Sequence, residues 1–126
     1  MSVESALRDR LLSDATIAAA VGDRVYPTLA VQGATAPYIV YTRIGARHEA
    51  SLTGPSGLAR AVYQIDCYAG TADAAIDLGD AVRALLHAIT WTAGGVDYAP
   101  MVDTERDLPD EEARLHRRTL EIILWY

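Results

Sequence analysis

Cys67 is the single thiol of the chain, and His48, His87 and His116 are its only imidazoles. A cysteine acts as a nucleophile when a base and a lowered pKa keep it as thiolate. In "YQIDCYA" (63–69) Cys67 falls on the same alternation as Tyr63 and Ile65, where a small buried hydrophobe belongs. No local motif ties it to a histidine, so a structural thiol is expected rather than a catalytic one. The three histidines are far apart and form no HxH or HxxxH pair, so they give no metal site. "TGPSG" (53–57) has the glycines of a phosphate cradle but not the Gly-Lys-Ser/Thr ending, and it leads into a strand. Phosphate cradling needs amides at a helix N-terminus, so no cofactor is expected.

Two charged sets remain. Asp103, Glu105 and Asp107 alternate along an extended segment and are expected to project from one face. A solvated acidic rim is the favoured reading, able to steer a basic partner or repel DNA, with a Mg²⁺ or Ca²⁺ site as the alternative. Arg114, Arg117 and Arg118 follow the acidic turn "LPDEEA" (108–113). They either pair with those acids across a hairpin or meet the acids of a neighbouring subunit, as an intersubunit charge set.

The elements that must hold these groups are legible from caps and periodicity. Ser2 can cap a first helix carrying Val3, Leu7 and Leu11 on one stripe, and Asp14 and Gly22 bracket a second. Arg24–Tyr26 is a short extended piece ended by Pro27, and 28–37 reads as a loop. "YIVYTRI" (38–44) and residues 58–69 are strands. Between them, 46–57 is polar and glycine-rich and reads as a mobile loop. Thr71 caps the clearest helix, whose buried face is Ala75, Leu78, Val82, Leu85, Leu86 and Ile89. A turn at 92–95, an extended segment 96–107 and a final strand ending in "EIILWY" complete the chain. The order predicts one α+β domain spanning 1–126, with a mainly antiparallel sheet of four or slightly more strands and helices on one face.

Composition narrows the class of function. The 126 residues carry 17 acids against 11 bases, a net charge of −6, and every base is an arginine. A free-standing nucleic-acid binder is usually basic, so sequence-specific DNA or RNA binding is not expected. Apolar residues make up 51%, in runs too short to span a membrane. "MSVESALRDR" has Glu4, Arg8 and Asp9 where an export signal needs an apolar stretch, so none is expected.

Five segments occur in order: "VGDRVYP" (21–27), "PYIVYTRI" (37–44), "SLTGPSGLARAVYQIDCYA" (51–69), "DAVRALL" (80–86) and "LHRRTLEIILWY" (115–126). Together they resemble the tail-completion, or tail-to-head joining, proteins of long-tailed bacteriophages, prophages and gene transfer agents. The resemblance implies a non-enzymatic virion subunit that forms a homo-oligomeric ring, a hexamer, on the completed tail tube. It further implies contacts with the tail tube protein and the head-closure or connector protein, with DNA passing through the lumen. The expected location is the head–tail joint, reached from the host cytoplasm. The loop Arg47, His48, Ser51, Leu52, Gly54, Pro55 and Gly57 is the expected docking arm, with Leu52 its apolar anchor. A head-closure adaptor of the connector is the nearest alternative. A small cytoplasmic enzyme using Cys67 and a monomeric binding module are more distant ones.

Overall fold

The computed structural model describes residues 2–51 and 54–126. Helix α1 (Val3–Leu12) starts where the Ser2 hydroxyl accepts from the Ser5 amide, and α2 (Ala15–Val21) where the Asp14 carboxylate accepts from Ile17 N–H. Gly22, at φ 65°, ends α2 in a backbone region that an L side chain resists. Strand β1 (Val25–Pro27) follows, then β2 (Tyr38–Ser51) and β3 (Gly54–Ala69). Helix α3 (Ala72–Leu86) is capped by the Thr71 hydroxyl, which accepts from Ala74 N–H. Strands β4 (Trp91–Ala93), β5 (Val96–Asp110) and β6 (Leu115–Trp125) close the chain. Among the described residues no helix is long and apolar enough to cross a membrane.

The strands form one sheet in the order β1-β2-β3-β6-β5-β4, parallel only between β1 and β2. The α+β class, the mainly antiparallel pairing and the helices on one face agree with expectation. Among the described residues the strands number six, against an expected four or slightly more, because β1 and β4 are three residues each, too short to carry a periodic signal. All three helices pack on the same side. Leu7 and Leu11 of α1, Ile17 and Val21 of α2, and Leu78, Val82 and Leu86 of α3 meet Tyr63, Ile65 and Cys67 of β3 and Leu120, Ile122 and Leu124 of β6. By alternation, Gln64, Asp66, Tyr68, Arg117, Thr119 and Glu121 face the other way.

Two local expectations are corrected. Of the segment 46–57, residues 46–51 and 54–57 are strand and not loop: Ala46, Arg47 and His48 pair with Ala61, Arg60 and Ala59, and Ser51 pairs with Gly54. The ladder carries β2 and β3 outward as one long hairpin, overriding the weak local strand preference of a Gly- and Pro-rich stretch. Leu52, the expected anchor, lies outside the described residues. Helix α3 also stops at Leu86, short of Ile89. Ala88 takes φ 58° and donates its amide to the Pro100 carbonyl, which turns the chain and leaves Ile89 44% exposed.

Candidate functional site

On β6, consecutive residues point to opposite sides of the sheet, and this divides the expected arginine set. Arg118 faces α3. Its guanidinium donates to both carboxylate oxygens of Asp107 at 2.6 and 3.0 Å and to Asp80 at 3.3 Å, with Glu105 at 3.9 Å. Arg83 of α3 closes the cluster, 3.3 Å from both Asp80 and Glu105. The bidentate contact matches the planar guanidinium fork. Its hydrogen bonds hold the Asp107 carboxyl below the usual carboxylate range and raise Arg118. Arg118 is therefore committed within its own chain, on the stem side to Gly79 and at its head to three acids.

Stabilisation from a depressed carboxylate is present above its unfolded pKa and disappears as pH falls through the folded value. Asp107→Asn is expected to cost no more than about 1 kcal/mol at pH 7, because the Asp107 side chain is 59% exposed and solvent screens the pair. Urea unfolding of both proteins from pH 7 to pH 2 should show the difference shrinking below about pH 4. A gap that stayed constant would mean that Asp107 contributes through packing, not charge.

Arg117 lies on the opposite face. It donates to the Tyr68 hydroxyl at 3.2 Å, with its guanidinium carbon 5.7 Å from the Tyr68 ring centroid, and Tyr68 stacks on Tyr38 at 4.9 Å. Beside them Asp66, 4% exposed, accepts from the Thr119 hydroxyl at 2.6 Å and from the Gln64 amide at 3.0 Å. These residues floor a polar groove of about 420 Å³, walled by Thr28 and Leu29. Its one carboxylate, Asp66, is already engaged by two donors of the sheet itself. Arg114 is elsewhere again, exposed at φ 54° in the β5–β6 turn. The three arginines thus occupy three separate environments.

The acids are divided too. A register irregularity between Val102 and Thr104 makes Asp103 an extra residue, outside the alternation that carries Glu105 and Asp107 toward α3. Among the described residues no group of three or more His, Cys, Asp or Glu side chains is disposed to hold a metal ion. Cys67 is fully buried, and that burial pushes its thiol pKa up, opposite to what a nucleophile needs. His87 accepts from Val102 N–H through Nδ1 at 3.1 Å, and His116 lines a small apolar cleft between α3 and the β5–β6 hairpin. His48 lies far out on β2, beside Arg47, with Pro55 and Gly57 on the facing strand β3.

The architecture is shared with a solved structure described as the virion of a native gene transfer agent (GTA) particle. The TM-score is 0.82 at 18% identity, over 98% of this chain and 93% of that one. No curated protein matches. The family described as tail completion protein gp17 matches residues 5–126. The chain belongs to that family. Tail completion proteins of this kind are structural virion components, not enzymes.

For a tail completion protein the informative residues are exposed ones, and sequence reasoning missed several. Arg43 and Ile44 stand exposed on β2 beyond the reach of β1, which pairs only with Ile39–Tyr41. Leu29 and Val31 are 78% and 58% exposed at the same edge. The signal available was the break of "YIVYTRI" from apolar residues into an arginine at Arg43, which marks where β2 leaves the covered part of the sheet.

Proposed function

We propose that this tail completion protein assembles as a six-membered homo-oligomeric ring on the end of the finished tail tube. There it stops further polymerisation and presents a docking surface to the head-closure protein at the head–tail joint, with DNA passing through the lumen. The observation that carries this reading is the family match over residues 5–126. The shared fold with a chain of a gene transfer agent particle is consistent with it. The net charge of −6 suits a passage that must not retain DNA, since phosphate contacts supply most non-specific affinity. The outer end of the long β2–β3 hairpin, where Ala50 pairs with Pro55 and Ser51 with Gly54, is the part of the subunit assigned to docking on the tail tube.

The test uses tails and filled heads from particles lacking this protein. Adding the purified chain should cap each tail end with one ring, visible by negative-stain electron microscopy, and restore joined particles. Tails left uncapped and unjoined would overturn the reading. Binding to isolated heads with the symmetry of the connector would reassign the protein as a head-closure adaptor.

A further inference from the structure

The sheet has two free edges, and they carry opposite charge. On one side β1 pairs only with Ile39–Tyr41, and among the described residues no strand pairs with that side of β2 from Thr42 onward. The described side chains of that free length include Arg43, Arg47 and His48, all exposed, and no acid between Thr42 and His48. On the other side β4 pairs only with Val96–Tyr98 of β5. The end of α3 then occupies the next edge groups: Ala88 N–H donates to the Pro100 carbonyl, and Val102 N–H donates to His87. Among the described residues no strand pairs with the β5 edge from Asp103 to Asp110, a length with Asp103, Glu105, Asp107 and Asp110 against Arg106 alone. Arg118 and Arg83 offset part of that charge, yet Asp103 is exposed and makes no ion pair among the described residues, and Glu105 Oε1 is an acceptor without a partner.

We infer that the seam between neighbouring copies in the ring is formed by the basic free edge of β2 in one copy against the acidic free edge of β5 in the next. The inference rests on the ring reading above. A contact between unlike edges is head-to-tail, the type that closes into rings. Strand direction agrees. Across β2-β3-β6-β5 every pairing is antiparallel, so β2 and β5 run oppositely, and a copy related by rotation about a ring axis meets its neighbour antiparallel. Backbone pairing does not extend along the whole seam, because Pro109 has no amide to give and proline blunts an edge. Complementary side chains therefore set the specificity, in the way charged interfaces select partners and suppress wrong ones. The arginines assigned to the acids of a neighbour are Arg47 and Arg43, the latter 45% exposed and held in its own chain only by a 3.9 Å contact to Glu4, not Arg117 and Arg118, which are hydrogen-bonded within their own chain.

The test uses the tail-capping assay with two variants, R43E/R47E for the β2 edge and D103R/T104R for the β5 edge. Asp103 and Thr104 are exposed, and neither side chain has a hydrogen-bonded partner among the described residues, so melting temperatures matching the unmodified chain serve as the folding control. Each variant alone should cap tails at least about tenfold less often than the unmodified protein, because like charges then face each other at every seam. An equal mixture should recover capping, since alternating copies restore opposite charge at each contact. Normal capping by either variant alone, or no recovery in the mixture, would overturn the edge assignment while leaving the ring reading intact. If the unmodified protein itself caps no tails, the ring reading fails and takes this inference with it.

Discussion

Gly79→Val is expected to destabilise the chain by about 3 kcal/mol, one of the two largest single-residue effects in the molecule. Gly79 is buried on α3, and a Cβ there would overlap Cγ of Arg118, with Cδ and Cβ of the same side chain at 3.0 and 3.2 Å. Those atoms are the stem of Arg118, not its flexible end. The head is pinned to Asp107 and Asp80, and the side chain is only 13% exposed, so it has little room to swing aside. The helix must then lift from β6. The better helix propensity of valine over glycine offsets only a small part of that cost. For a chain of this size the loss corresponds to a melting temperature lower by roughly 10 °C or more. In an Arg118→Ala background the same substitution should cost less, by about 1 kcal/mol or more, since the obstacle is gone. Equal penalties in the two backgrounds would show that Arg118 is not what excludes a side chain at position 79.

Tyr63→Ala is the second. Tyr63 is fully buried in the middle of β3, at the centre of the contact between sheet and helices. Truncating a buried aromatic removes its transfer free energy and leaves a cavity, for a loss of about 3–5 kcal/mol. That is a large part of the 5–15 kcal/mol typical of a whole domain, so the variant should unfold at a much lower urea concentration. Tyr63→Phe separates the ring from the hydroxyl. The hydroxyl donates to Glu4 of α1 at 3.0 Å, and Arg43 lies 3.9 Å from the same carboxylate. Losing that bond should cost about 1 kcal/mol, and the proton exchange of α1 amides should accelerate before that of β3. A Tyr63→Ala protein with an unchanged unfolding midpoint would contradict the core position of this residue.

What was legible in the sequence follows the range of the interactions involved. Ser2, Asp14, Thr71 and Gly22 mark helix ends because a cap is settled within three or four residues, and each performs that role. The buried row Tyr63–Ile65–Cys67 and the α3 stripe from Ala75 to Leu86 were legible because one periodic element suffices to show them. The outer hairpin was not. Gly54, Pro55 and Gly57 signal a turn locally, whereas their strand state depends on a ladder partner several residues away in β2. The charged residues failed for a related reason. Arg117 and Arg118 are adjacent in sequence, yet the pleat sends one to Tyr68 and the other to Asp107, and only the position of α3 brings Asp80 and Arg83 into reach. Which strand edges lie bare is a property of strand order, and strand order is nowhere written in a single segment.

The two bare lengths do not lie opposite each other. Through the ladder Arg43 is level with Val102 and Arg47 with Ala99, whereas the acidic length of β5 is level with the covered start of β2. Seating one on the other displaces each copy by about six residues, or ~20 Å, along the strands at ~3.3 Å per residue. The four strands crossed on the way add up to about 19 Å of width at ~4.8 Å each. A band stepped in that proportion closes on itself only with its strands inclined by roughly 45° to the axis, near the 35–45° of closed barrels. On the six-copy ring proposed above, such copies would make a wall of about 24 strands around a bore on the order of 40 Å.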